Sequence, residues 1–306
     1  MNVTKSVLVL GATGQQGGAV ARWLRQTGWL VRSLVRDTSS PKSLALARDG
    51  MQLRKGNMED RSSIESAMAE VDAVFSVQPS SGQGEAYGVT DEQEVAWGKT
   101  VVDIAEAANV RHLVYSSVIA AGKGVTGMGH FDSKSAIEAH IKKRGVAYTI
   151  IRPSTFMEIL ALPGMGLDHG KFNFFMHRDQ AMQFIAVDDI GKIVAHVLNA
   201  PDEFSDRTLD IAGDAITGEQ LQEALSRALH RPIEYSRFSD RLLTENNFLH
   251  RLAVLVDDGR LAGTADLPSL RQQFGDLTKL ADWLSGPGKP LIEKAAGHPS
   301  SNLSLR

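Results

Sequence analysis

Glycines at spacings of three mark the run Gly11-Ala-Thr-Gly14-Gln-Gln-Gly17, which follows at once on the apolar run Ser6 to Leu10 and opens a helical pattern through Val20, Trp23 and Leu24 to a stop at Gly28. In such a turn the first glycine permits tight reversal and the second lets a pyrophosphate approach the backbone. The third lets helix and strand pack closely. A dinucleotide is the implied ligand, with Thr13 and Gln16 where backbone N–H groups would face phosphate. Both side chains equally suit a plain helix cap.

Two further groups carry chemistry. Arg36 and Asp37 end the next apolar run, Leu30 to Val35. An acid there binds ribose hydroxyls and selects NAD, whereas a cation there meets the 2′-phosphate of NADP. Arg36 comes first, Arg32 adds charge, and NADP(H) is favoured over NAD(H). The other group is Ser116, Ser117, His130 and Lys134. Short-chain dehydrogenases pair a tyrosine with a lysine one helical turn later; the ammonium lowers the tyrosine pKa and holds ribose hydroxyls. Lys134 fits that pattern, but His130 stands four residues before it and no tyrosine is available there. With an ordinary pKa of about 6.5, His130 can donate a proton near neutrality; it equally suits a helix start with no chemistry.

Composition removes other chemistries. The 306 residues contain no cysteine, which rules out disulfides, thiolate catalysis and cysteine-ligated zinc. Nine scattered histidines without close pairing do not suggest a metal site, and none is expected. A net charge of -3 lacks the basic footprint of nucleic-acid binding. No P-loop, Gly-x-Ser-x-Gly or His-Glu-x-x-His pattern occurs. The N-terminus lacks a signal-peptide layout, and no apolar run reaches the roughly 18 residues a membrane helix needs. A cytoplasmic protein without membrane attachment is the expectation.

The elements that must hold these residues alternate. Strands are expected at Met51 to Lys55, Asp72 to Val77, His112 to Ser116 and Ala147 to Arg152. Helices are expected at Lys42 to Arg48, after an Asp60 N-cap, at Glu92 to Ala108 and at His130 to Arg144. This rhythm predicts an α/β fold with a doubly wound parallel sheet. The Ser117 to Gly129 loop holds four glycines and is free to follow a ligand. Past Pro153 the rhythm breaks. Phe156 to Phe184 is rich in Phe, Met and Gly, with Phe172, Phe174, Phe175 and Met176 read as packing or as a pocket wall. Thr217 and Gln220 fit a capping box, and the chain from Ser285 reads as a loosely held tail.

Several stretches together, GATGQQG, VRSLVRD, GNMED, HLVYSS, GHFDSKSAIEAHI, IIRPSTFMEIL, AVDDIGKIVAHVL and TLDIAGDAITGEQL, resemble the NmrA-like family of atypical short-chain dehydrogenases over residues 5 to 285. The resemblance implies a Rossmann-type domain over 1–153 plus 182–200 and a smaller mixed C-terminal domain over 154–181 plus 201–285, with 286–306 a flexible tail. It implies Gly11, Thr13, Gly14, Gln15, Gln16 and Gly17 at the pyrophosphate and Arg36 at the 2′-phosphate. Asn57 and Met58 would lie near adenine, Val77 and Gln78 near ribose, Lys134 at the nicotinamide ribose, and Pro153, Thr155 and Phe156 beside the nicotinamide. The family contains NADP(H) sensors that act through protein partners, and reductases of quinones or other small apolar acceptors. The expectation is a redox or nucleotide sensor, with such a reductase as the alternative and His130 and Lys134 as its catalytic candidates.

Overall fold

A computed structural model describes residues 5–83 and 88–297. The chain divides into two compact units: Met1–Gly122, Gly129–Arg152 and Ile190–Leu209 form the first, and Lys123–Met128, Pro153–Asp189 and Asp210–Arg306 the second.

The first unit is built on alternating strands and helices: β1 Ser6–Val9, α1 Gln15–Gln26, β2 Leu30–Val35, α2 Pro41–Arg48, β3 Gln52–Lys55, α3 Arg61–Met68, β4 Ala73–Ser76, α4 Asp91–Ala107, β5 His112–Ser116, α5 Gly129–Ile141 and β6 Tyr148–Pro153. These strands enter a seven-stranded sheet of order β10-β6-β5-β4-β1-β2-β3, where β10 is Arg207–Ile211. Pairing is parallel from β3 through β2, β1, β4 and β5 to β6. Chain order reverses between β1 and β4, the switch point where open α/β sheets bind ligands beyond the strand C-termini.

The central strands β1, β4 and β5 are buried along their whole length because helices cover both faces of the sheet. Leu8, Val74, Leu113, Tyr115 and Ile150 pack with Ile64 and Met68 of α3, Val101 and Ala105 of α4, and Ile137 and Ile141 of α5. Each fully buried Leu or Ile in such a layer contributes about 1.5–3 kcal/mol. On the other face, Gly191 of α6 (Val187–Asn199) lies so close to Ala19 of α1 that a Cβ would overlap its backbone.

Helices α4 and α5 run in parallel, as βαβ crossovers require. Their contacts advance together: Asp91 with Gly129, Glu94 with Lys134, Gly98 with Ile137 and Asp103 with His140. Gly98 permits this approach, since Ile137 fills the space its missing Cβ leaves. Thr90 and Gln93 start α4 with a reciprocal capping box, and the Asp60 carboxylate caps α3 as the sequence predicts.

The second unit contains β7 Thr155–Phe156, β8 Lys171–Phe174, β9 Ala181–Ile185, β11 Asp214–Thr217, α8 Gly218–Ala228 and β12 Glu234–Arg237, then the helices α9 Asp240–Glu245, α10 Asn247–Asp257, α11 Leu267–Phe274, α12 Leu280–Ser285 and α13 Lys289–Gly297. The short helix α7, Pro201–Phe204, belongs to the first unit. Two small sheets form, β11-β9-β7 and β12-β8. Phe172, Phe174, Phe175 and Met176 are buried, with the Phe174 ring stacked near Phe172, edge-on to Phe175 and tilted toward Phe184, so these residues are packing. Thr217 and Gln220 form the expected capping box of α8.

Two expectations change. The segment read as a tail from Ser285 forms α13 over Lys289–Gly297, with Ile292 buried and Gly288 lying against the Trp283 ring; residues 298–306 of that tail lie outside the described residues. A single isoleucine anchors this helix, so the flanking Pro and Gly dominate its sequence pattern. Helix α5 ends at Ile141 rather than Arg144, where the chain tightens into a turn. Among the described residues no helix is long and apolar enough to cross a membrane, and no group of three His, Asp or Glu residues is placed to hold a metal ion.

Candidate functional site

At the C-terminal ends of β1, β4 and β5 the first unit collects most of the residues singled out by sequence. Gly11 adopts φ +68°, a left-handed conformation that disfavours other residues, and the Val77 side chain occupies the space beside it. A Cβ at Gly17 would overlap the Gly11 carbonyl group, so the third glycine lets α1 start directly against the turn. Thr13, Gly14 and Gln15 are exposed at the start of α1.

That helix end differs from its neighbours. Side chains cap the N-termini of α2, α3, α4, α8, α9, α10 and α11, whereas Gly14 caps α1 without a side-chain bond and no acid sits in its first turn. Its leading N–H groups and the positive end of the helix dipole are therefore open to an anion. Nearby, Gln78 is buried after β4; its Nε2 donates to Ser76 Oγ at 2.8 Å and its Oε1 has no partner among the described residues. Ser116, at the end of β5, donates to Gln16 Oε1 at 2.6 Å and fixes that side chain across the switch point. These features fit a pyrophosphate and ribose.

Beyond β2, Asp37 and Arg36 are in different states. The Asp37 carboxylate accepts from Ser39 N at 2.8 Å and Ser39 Oγ at 2.6 Å, bonds that hold its pKa below the ordinary carboxylate value. Arg36 is exposed and forms no hydrogen bond or ion pair among the described residues. Arg32 is not part of this group: its guanidinium donates to the carbonyls of Ala67 and Ala69, at 3.4 and 2.5 Å, and caps the end of α3. Arg32 lies in the middle of β2 rather than at its end, within reach of the last turn of α3. Asn57 Oδ1 accepts from Glu59 N at 2.7 Å and Asp60 N at 3.0 Å, fixing the loop into α3, and half-buried Met58 packs on the apolar core.

The group of Ser116, Ser117, His130 and Lys134 does not assemble as a unit. Ser116 faces Gln16, while buried Ser117 donates to Glu138 Oε1 at 2.6 Å. Glu138 is also held by Arg152, through Nε at 2.8 Å and Nη2 at 2.5 Å. The His130 ring lies against Gly82 and over Phe131, with ring centroids 4.0 Å apart. Lys134 Nζ donates to Glu94 Oε1 at 2.5 Å, to the His130 carbonyl at 3.1 Å and to Ser80 Oγ at 3.3 Å. Its three ammonium protons thus all have acceptors. Tyr115 does not replace the tyrosine absent at position 130. Its hydroxyl is buried and unpartnered, and its pKa is pushed well up by burial, then by the charges of Glu94 and Glu138.

Glu94 escapes a reading based on residue type, because glutamates on long helices usually face water. Its spacing carries the missing signal: with Gly98, Val101, Val102 and Ala105 it falls on one stripe of α4, and all five are buried. Pro153 ends β6, and Thr155 and Phe156 form β7, paired with Phe184 and Ile185 of β9; these three residues belong to the second unit.

The chain is similar to several known proteins. The NAD(P)H azoreductase of Xenophilus azovorans is 26% identical over 304 residues, covering 97% of this chain and 95% of that protein. The NmrA-like family domain-containing oxidoreductase malD of Malbranchea aurantiaca is 29% identical over 253 residues, 76% of this chain and 75% of that protein. A solved structure of NmrA, a negative transcriptional regulator, in complex with NADP has the same fold: TM-score 0.77 and 17% identity, with 96% of this chain and 98% of that one covered. Residues 3–266 match the NmrA-like family, and the chain belongs to it.

Proposed function

We propose that the first unit binds NADP(H) in preference to NAD(H), and that the chain uses NADPH to reduce a quinone or another small apolar acceptor. The observation that carries the nucleotide choice is the contrast at the end of β2: Ser39 engages the Asp37 carboxylate, while Arg36 remains exposed and unengaged. An unengaged guanidinium suits a 2′-phosphate; a carboxylate already bonded to its own loop is a poor acceptor for ribose hydroxyls. The open N-terminus of α1 would receive the pyrophosphate, with Gly11, Thr13, Gly14, Gln15, Gln16 and Gly17 around it. Asn57 and Met58 would border adenine, Val77 and Gln78 a ribose, and Lys134 the nicotinamide ribose.

Bound NADPH supplies two electrons and a proton as a hydride equivalent. The chain's own part is to orient the dinucleotide, through the α1 N-terminus at one end and Lys134 at the other. Support for catalysis comes from relatives whose names are those of oxidoreductases, among them the azoreductase aligned along nearly the whole chain. NADPH oxidation in the presence of a quinone and azo-dye panel tests this: turnover above background is expected, and its absence with every acceptor argues against a reductase.

One observation favours a second reading, a nucleotide sensor acting through a protein partner. Position 130 offers no hydroxyl acid, and Lys134 is fully engaged by protein acceptors. A sensor requires the nucleotide to distinguish two conformations. Hydrogen exchange in the Ser117 to Gly129 loop should then slow on NADP(H) binding; unchanged exchange removes this reading.

A further inference from the structure

We propose that Glu94 is the positioning residue of the nucleotide site, a buried counter-ion that aims the Lys134 ammonium at the ribose. The proposal rests on the assignment of Lys134 to the nicotinamide ribose. Glu94 is 1% exposed, and among the described residues its side chain has one polar partner, Lys134, through Oε1 at 2.5 Å, while Oε2 has none. An ionised carboxylate placed this way gains little for stability, because desolvation offsets most of the attraction. Its geometric effect is specific, because it ties the tip of a long flexible side chain to one point on α4.

The three Lys134 contacts differ in kind. The bonds to Glu94 and to the His130 carbonyl, at 2.5 and 3.1 Å, come from one turn of α4 and from the preceding turn of α5 itself. The bond to Ser80 Oγ is the longest, at 3.3 Å, and comes from the loop after β4. A ribose hydroxyl would therefore replace Ser80, while Glu94 and the His130 carbonyl remain as two fixed anchors. The close approach at Gly98 and Ile137, one turn further along both helices, keeps the anchors in register.

A double-mutant cycle on the full-length chain tests it, with NADPH affinity read by calorimetry and melting of the nucleotide-free protein read in parallel. Glu94→Gln should weaken NADPH binding about fivefold to tenfold, and Lys134→Met about tenfold. The double variant should bind no more weakly than Lys134→Met alone and should melt above it. Independent, multiplying losses, or unchanged affinity in a folded Glu94→Gln protein, would overturn the proposal. If the wild-type protein fails to bind NADPH while the melting temperatures still show the pair coupled, the nucleotide assignment itself has failed. In that case Glu94 and Lys134 are a structural pair only.

Discussion

Lys134 on α5 and Glu94 on α4 form an ion pair at 2.5 Å in which the glutamate is almost wholly buried. Breaking one side of such a pair strands the other charge, which typically costs about 3–5 kcal/mol. Because Lys134 is partly exposed, the lower end applies. Lys134→Ala should destabilise the protein by about 3 kcal/mol in urea denaturation, and adding Glu94→Gln should recover much of that. Reduced activity in Lys134→Ala alone thus mixes a lost ligand contact with a lost ion pair, and only the double variant separates them.

The two residues after β2 give a prediction about nucleotide choice. Ser39→Ala removes the 2.6 Å hydroxyl bond to Asp37 and weakens the turn that holds its carboxylate. Affinity for NADH should rise relative to NADPH, in competition titrations, without any change at Arg36. An unaltered ratio would mean that Asp37 takes no part in discrimination.

Much of the fold could be read from residue patterns, and the reasons for success and failure are physical. The β1-α1-β2 order, the limits of β5 and the Thr217 capping box rest on local periodicity and local hydrogen bonds, which sequence displays directly. Strands β8 and β11 are short pieces of small sheets, and the apolar content of Lys171–Phe174 reads equally as loop packing until β12 pairs with it. In the site, the glycine turn was legible because each glycine answers a backbone constraint. Arg36 could be set ahead of Asp37 only by its order along the chain, since the bonds from Ser39 that occupy the Asp37 carboxylate belong to the folded turn. The role of Glu94 depends on the approach of two helices across Gly98, a tertiary fact.

The turn itself can be tested by contrasting two glycines. A Cβ at Gly17 overlaps the Gly11 carbonyl group, whereas one at Gly14 meets the same oxygen at 3.2 Å. Gly17→Ala should cost about 1–3 kcal/mol through overpacking and abolish NADPH binding. Gly14→Ala should be milder in thermal melting. Equal effects would contradict the assigned packing.

A pH effect follows from His112. Thr149 Oγ1 donates to the Phe204 carbonyl at 2.8 Å, so it accepts from His112 Nε2, also at 2.8 Å. Burial pushes the His112 pKa below its ordinary 6.5, opposed only in part by Asp206 and Asp202. The unfolded chain therefore binds this proton more readily. The stability linked to neutral His112 is present above about pH 6.5 and is lost as pH falls through the lower folded value. Urea midpoints should drop on acidification from pH 7 to 5, and His112→Gln should flatten that slope.

Titration calorimetry of NADPH and NADH against the wild-type chain and Arg36→Asp tests the central claim most directly. Wild-type protein should bind NADPH at least about tenfold more tightly than NADH, the effect of one charge-assisted contact, and Arg36→Asp should erase or reverse that preference. Equal affinities in the wild type, or a preference that survives Arg36→Asp, would contradict it.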